Sequence, residues 1–442
     1  MKVSFTFVKN LQTMVSVIAS KGLSSKDCIS LEDKHGAHNY HPLPVVLAKG
    51  EGVYVWDVEG ERYFDFLSAY SAVNQGHCHP KIIGALSEQA STLTLTSRAF
   101  YNDALGPFEK YITEYFGYDK VLPMNTGAEA VETAIKLARK WAYEVKGIAE
   151  NEAVIVVAED NFHGRTTTII SFSNDEDARK NFGPYTPGFI KIPYNDKKAL
   201  EDALAHPNVI GFLVEPIQGE AGVNVPDSDY MTAARELCTQ AGALLIADEV
   251  QTGIGRTGAL LATCGDCTCD ASCQRKASNY VRPDMVILGK AISGGVYPVS
   301  AVMADNVIMD VIKPGQHGST FGGNPMAAKV ATAALEVIEE EKLTQNARHL
   351  GEIFRSELNA FALTSPLVDK VRGKGLLNAI LINDTPESST AWDICVALKN
   401  NGLLAKPTHG NIIRFAPPLV MTKEQLLECL EIIKSTISSF EK

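Results

Sequence analysis

The sequence predicts an α/β fold, with a large, mostly parallel sheet domain followed by a smaller α+β domain. Three observations carry that expectation. The chain has 442 residues, enough for two or three domains with a substantial core. From residue 80 to about 330, short apolar runs alternate with helix-period segments, the pattern of strand–helix–strand units covering a sheet on both faces. After about residue 329 the pattern becomes helix, helix, strand pair, helix, strand, helix, which marks a separate unit.

Residues 1–34 come first, and the first 26 carry Lys2, Lys9, Lys21 and Lys26 but no acid. Phe5, Phe7, Val8, Leu11, Met14, Val15 and Ile18 fall on one amphipathic face, so this stretch reads as an organelle transit peptide, with a frayed terminus as the alternative. The mitochondrial matrix is the expected compartment and the cytoplasm the alternative. Residues 35–70 hold a hairpin, 53–57 against 62–66 through Val58-Glu59-Gly60-Glu61, expected to pack with the small domain. Residues 71–328 make the large domain, with candidate strands at 120–124, 153–157, 210–214, 243–247, 285–288 and 299–303. Its best helix opens at Asn125-Thr126-Gly127 and aligns Val131, Ala134, Ile135, Ala138, Trp141, Ala142 and Val145. A long helix at 325–341 joins this part to the small domain, 329–442, whose strands lie near 371–382 and 412–415. The last helix aligns Leu426, Leu430, Ile433, Ile437 and Phe440.

Composition narrows the function. Hydrophobic residues at 45% and charged residues at 21% are those of a globular chain, not of a disordered one. Acidic residues outnumber Lys plus Arg by 52 to 41, a net charge of −11, which argues against a protein whose main task is gripping a polyanion. No run of apolar residues reaches the roughly 18 that a spanning helix needs. Nine cysteines are too few for a disulfide scaffold and fit a reducing compartment.

Chemistry gathers where a parallel sheet places its ligands, at the carboxyl ends of strands. Asp248 follows the run 243–247, Lys290 follows 285–288 with only Gly289 between, and Asn125-Thr126-Gly127 follows 120–124 and opens a helix. Taken singly, such an Asp is often a cap and such a Lys a solvated strand end. Together they suggest pyridoxal 5'-phosphate: an amine to condense with the cofactor aldehyde and a carboxylate to keep the ring nitrogen protonated. Thr126, Gly127 and Ala128 would offer the backbone N–H groups of a helix N-terminus to its phosphate.

The stretch 244–258, Leu-Leu-Ile-Ala-Asp-Glu-Val-Gln-Thr-Gly-Ile-Gly-Arg-Thr-Gly, then Pro283-Asp284 and Gly289-Lys290, closely resembles the class III aminotransferases. Gly318-Ser319-Thr320-Phe321-Gly322-Gly323-Asn324-Pro325 and Asn125-Thr126-Gly127-Ala128-Glu129-Ala130 belong to the same pattern, which runs from about residue 35 to the C-terminus. The resemblance implies a fold type I pyridoxal phosphate transferase. Residues 36–42, 66–80 and 181–185 are similar to the branch acting on ornithine, so the implied reaction is transfer of the δ-amino group of L-ornithine to 2-oxoglutarate. By resemblance, Lys290 and Asp248 are catalytic, Phe162 stacks on the cofactor ring, Gln251 bonds its hydroxyl oxygen, and Ser319 and Thr320 complete the cofactor site. Thr320 would reach the phosphate of the neighbouring subunit, implying a homodimer with shared active sites. Tyr40 and Arg165 would hold the α-amino and α-carboxylate ends of ornithine, beside Tyr70. Glu220 would pair with Arg414 while ornithine reacts and release it for the carboxylate of 2-oxoglutarate.

Branches acting on 4-aminobutyrate or acetylornithine share the Lys and Asp and are the alternative, with a non-enzymatic cofactor-binding scaffold as another. One segment departs from the family pattern: Cys264, Cys267, Cys269 and Cys273 within an insertion at 264–280. An inert surface loop is the first expectation for it, a redox site with a redox partner the second, and a Zn²⁺ site the third; no metal is assigned.

Overall fold

The computed structural model describes residues 22–267, 277 and 279–441. Most of the expected transit segment, and Cys269 and Cys273, lie outside them. Within the stretch for which fraying was an alternative, Ser25–His35 is a helix. Ser24 accepts from the Asp27 N–H while the Asp27 carboxylate accepts from the Ser24 N–H, satisfying two amide donors at the helix start. The helix buries none of its residues.

The expected hairpin is β2 (Tyr54–Asp57) with β3 (Arg62–Asp65), in the register Tyr54↔Phe64, Val55↔Tyr63 and Trp56↔Arg62. A third strand, β1 (Leu47–Glu51), pairs antiparallel with β2; it is mostly exposed, so no apolar alternation announced it.

The central sheet contains β4 (Lys120–Met124), β5 (Val154–Ala158), β6 (Phe189–Ile192), β7 (Val209–Val214), β8 (Leu244–Asp248), β9 (Met285–Leu288) and β10 (Ser300–Ala304), in the order β4-β10-β9-β8-β7-β5-β6. Only β10 runs antiparallel to its neighbours β4 and β9. Every residue of β7 to β10 is buried, which is why those strands read as continuous apolar runs. β6 escaped the sequence reading because it is a four-residue edge strand with an exposed Lys191.

Helix Gly127–Trp141 buries Val131, Ala134, Ile135 and Ala138 as the stripe predicts. Val145 is exposed instead, because the backbone widens into a π turn at Ala142–Lys146 and the 3.6-residue phase is lost. Helix Pro325–Glu340, capped by Asn324 on the Ala327 N–H, buries ten of its sixteen residues. Its many alanines allow close approach of helices Pro80–Thr92 and Leu105–Phe116.

The C-terminal strands are β11 (Val368–Lys374), β12 (Leu377–Ile382), β13 (Leu403–Leu404), β14 (Lys406–Thr408) and β15 (Ile412–Phe415). β11-β12-β15-β14 form an antiparallel sheet, while β13 leaves it to pair in parallel with β3. The N-terminal hairpin and the C-terminal segment therefore share one sheet. One hydrophobic cluster joins Phe66, Ile292, Leu335, Phe354 and Phe415, drawn from both ends of the chain and its middle. The Phe415 ring meets Phe66 edge-on at 6.0 Å and Phe354 at 5.6 Å, contacts worth roughly 0.5–1.5 kcal/mol each beyond area burial. Strand alternation then turns the preceding residue, Arg414, to the opposite face. Among the described residues no helix is long and apolar enough to cross a membrane.

Candidate active site

β7, β8 and β9 are adjacent and parallel, so their carboxyl ends deliver Glu215, Asp248 and Gly289-Lys290 to one place. A cleft of about 190 Å³ opens there, lined by Gly127, Ala128, Phe162, His163, Gly164, Glu215, Glu220, Asp248, Val250, Gln251 and Lys290. Two glycines permit its closeness: a Cβ on Gly127 would lie 3.1 Å from Val250 Cγ1, and one on Gly289 3.0 Å from the same atom. Lys290 opens a short 3₁₀ turn with φ of 44°, an uncommon conformation for a residue carrying a side chain. Burial lowers its pKa, opposed by Glu220, so the neutral, nucleophilic amine is favoured relative to a free lysine.

Asp248 is 4% exposed; its Oδ1 accepts the Val250 N–H at 3.0 Å and its Oδ2 lies 2.7 Å from His163 Nδ1. Burial opposes a charge on His163, yet the bond from Asp248 and the nearby Glu215 hold its pKa above the ordinary value. Glu215 accepts the Phe162 N–H at 3.0 Å, and burial pushes its pKa up to about 7. The sequence reading assigned no role to His163 or Glu215. The signal for Glu215 was present: it is another carboxylate directly after a buried strand.

On the other side of the cleft, Arg414 Nη1 lies 2.8 Å from Glu220 Oε1, with the arginine side chain 6% exposed. The same Glu220 oxygen accepts from Gln251 Nε2 at 3.1 Å. Burial alone would raise the Glu220 pKa, but Arg414, Lys290 and these bonds hold it below the ordinary value. The Arg414 guanidinium sits 5.0 Å from the centre of the Tyr70 ring, a cation–π contact. Tyr70 is presented by a left-handed turn in which Ser68, Ala69, Tyr70 and Ser71 all have φ between 46° and 74°. Such a turn costs about 1–2 kcal/mol per residue and is anchored by Asp65 Oδ1, which accepts the Leu67 and Ser68 N–H groups.

Of the expected residues, Gly127, Ala128, Phe162, Glu220, Asp248, Gln251 and Lys290 line the cleft, with Arg414 bonded to Glu220 and Tyr70 against Arg414 behind it. Other expected residues lie outside the cleft lining. Thr126 spends its hydroxyl capping its own helix, accepting from Glu129 N–H, which leaves the N–H groups of Gly127 and Ala128 at the cleft. Ser319 Oγ accepts from Asn125 Nδ2 at 2.9 Å, and Thr320 beside it is exposed. Arg165 is 59% exposed, with Asp175 at 3.6 Å and the Phe162 ring at 5.8 Å. Tyr40 is 74% exposed; its segment is fixed by His41, which stacks on Trp392 at 4.3 Å.

The insertion is not wholly a surface loop. Cys264 and Cys267 are buried in the main core, because Glu249 accepts the Ala262 and Thr263 N–H groups at 3.0 and 2.8 Å and draws the base of the insertion inward. A redox partner there would have to meet thiols other than these two. Among the described residues no group of three or more His, Cys, Asp or Glu is placed to hold a metal ion.

The donor set fits pyridoxal 5'-phosphate. A buried carboxylate, an amine with lowered pKa and free helix N-terminal amides face one cleft, and Gln251 Oε1 is buried there without a partner. Gln251 Nε2, however, is already engaged by Glu220.

Comparison with known proteins agrees with this chemistry. The model of the family described as aminotransferase class-III matches residues 35–437. A mitochondrial ornithine aminotransferase of Drosophila ananassae is 60% identical over 420 residues, covering 95% of this chain and 93% of that protein. Among solved structures, an ornithine aminotransferase from Toxoplasma gondii superposes with a TM-score of 0.91 at 46% identity, covering 98% of this chain and 99% of that one. One from Elizabethkingia anophelis described as an acetylornithine aminotransferase has a TM-score of 0.86 at 66% identity, covering 94% and 99%.

Proposed function

The chain belongs to the class-III aminotransferase family, and we propose that within it the protein moves the δ-amino group of L-ornithine to 2-oxoglutarate, yielding glutamate 5-semialdehyde and glutamate. The observation that carries this reading is the Glu220–Arg414 pair, 2.8 Å apart, whose Glu220 lines the cleft that holds Lys290 and Asp248. Pyridoxal 5'-phosphate, when bound, supplies an aldehyde that carries the amino group and a ring that accepts electrons. Asp248 would hold a proton on its ring nitrogen, Phe162 would cover the ring, and Gly127 and Ala128 would bind the phosphate through their N–H groups. Lys290 Nζ would be the attachment amine for the cofactor and the base that carries the proton between carbon positions.

Substrate choice follows from charge. While Glu220 neutralises Arg414, that guanidinium is not open to an anion, so the carboxylate of ornithine stays at the mouth with Tyr40 and Arg165 and the distal amine enters. 2-Oxoglutarate brings two carboxylates; Arg414 leaves Glu220 for one, and Arg165 takes the other. The exposed Thr320 serves a second copy of the chain in a homodimer. The Lys-rich N-terminal segment directs the protein to the mitochondrial matrix, which an import assay with and without residues 1–26 tests.

Acetylornithine is the second reading, favoured by the Elizabethkingia relative. Ornithine, N-acetylornithine and 4-aminobutyrate added separately to the cofactor-loaded enzyme distinguish them by loss of the cofactor's absorbance band. Ornithine is expected to react with the highest kcat/KM; a higher value for N-acetylornithine overturns the reading.

A further inference from the structure

Arg256 is the largest of the fully buried side chains, at 0% exposure, and Asp65 acts on its charge without bonding it. Its guanidinium spends its donors on neutral oxygens from three other parts of the chain. Nε and Nη2 donate to Asn74 Oδ1 at 3.2 and 2.6 Å, while Nη1 donates to the carbonyls of Leu376 at 3.0 Å and Pro417 at 2.6 Å. Further hydrogen bonds repeat the connection: Leu376 N–H donates to Arg256 O at 3.0 Å, Leu419 N–H to Asn74 O at 2.8 Å, and the Asn74 side-chain Nδ2 to Ile254 O at 2.9 Å. The joint has no slack, since a Cβ on Gly375 would fall 2.3 Å from the Thr257 carbonyl carbon. Burial pushes the Arg256 pKa down to about 9, so it remains charged at neutral pH.

Three of the four segments tied by this one group carry a residue of the site a few positions upstream. Asn74 follows the turn carrying Tyr70, Arg256 itself follows Gln251, and Pro417 follows Arg414. Lys290, Asp248, Phe162 and the Gly127 helix start are not bonded to it. We propose that Arg256 is a positioning residue for substrate discrimination: it fixes the spacing of Tyr70 and Arg414, and with it the closure of the Glu220–Arg414 pair, without bonding Lys290, Asp248, Phe162 or the Gly127 helix start. This inference rests on the reading that the pair switches between ornithine and a 2-oxo diacid. A bidentate fork is required because one planar group must reach Asn74 on one edge and two carbonyls on another; an ammonium group at the end of a lysine cannot span them.

The test compares Arg256→Lys and Arg256→Gln with the unaltered holoenzyme. Cofactor affinity is read by spectral titration, and ornithine and glutamate half-reactions are read by single-turnover absorbance. The expected result is a fall of about tenfold or more in the ornithine-to-glutamate ratio of kcat/KM, with cofactor Kd changed less than about threefold. Asn74→Ser, which loosens only the Tyr70 side, is the second variant should the Arg256 variants not fold; it should move the ratio in the same direction by a smaller factor. An unchanged donor ratio in the folded variants, or a loss of cofactor affinity that parallels the loss of both half-reactions, overturns the proposal. Failure of the underlying reading is visible separately, because the unaltered enzyme would then show no preference for ornithine over glutamate.

Discussion

Replacing Glu220 by alanine should turn the enzyme toward glutamate as amino donor. In the native cleft a glutamate molecule must first displace Glu220 from Arg414, a contact of 2.8 Å to an arginine only 6% exposed. A hydrogen bond to a charged group contributes about 1.5–3 kcal/mol net. Removing that cost accelerates the glutamate half-reaction relative to ornithine by roughly 10- to 150-fold at about 1.4 kcal/mol per decade. Ornithine gains nothing, since its distal ammonium now faces an unneutralised guanidinium. Stability should fall as well, by less than the roughly 3–5 kcal/mol of a fully buried broken pair, because the Glu220 side chain is 24% exposed. Single-turnover absorbance with each donor at saturating and subsaturating concentrations gives the ratio of kcat/KM. A ratio within about twofold of the native enzyme would falsify the switch, because it would mean that the ion pair does not stand between glutamate and the reacting centre.

Lys290→Ala should abolish turnover while phosphate and ring contacts still retain cofactor; multiple turnover without an added amine would contradict the assignment. Gly219→Ala should expel Gln251, since the new Cβ would sit 1.3 Å from Gln251 Oε1; cofactor Kd should rise, and an unaltered Kd counts against a cofactor role for Gln251. Glu215 has its folded pKa raised from 4.5 to about 7, so its contribution to stability is full below pH 4.5 and is lost as pH rises through about 7. That loss is of order 3 kcal/mol. Glu215→Gln should therefore flatten the stability of the cofactor-free protein across that window in denaturant titrations, and superimposable pH profiles would sink the argument. Cys264→Ser places a hydroxyl in a site 6% exposed, at a cost of about 1–3 kcal/mol; an unchanged melting temperature would return the base of the insertion to the surface.

By itself the sequence determined six of the seven strands of the central sheet and the polar residues at their ends. Strands β7 to β9 are apolar along their length because both faces are covered, and a residue such as Asp248 or Lys290 that ends such a run must lie at the crevice of a parallel sheet. Those signals are local, set by backbone period and burial. Strands that carry no such period, the exposed β1, the edge strand β6 and the two-residue β13, were not legible, and Val145 was misplaced by a single π turn. Tertiary structure alone decided that His163 stands 2.7 Å from Asp248, 85 residues away, that Thr126 spends its hydroxyl on its own helix cap, and that Cys264 is drawn into the core by Glu249. It alone decided that Arg256 joins the segments of Tyr70, Gln251 and Arg414. The reason is physical: each of these contacts depends on how separate loops close over the sheet, and loop closure is governed by the chain's packing as a whole, to which no local periodicity corresponds.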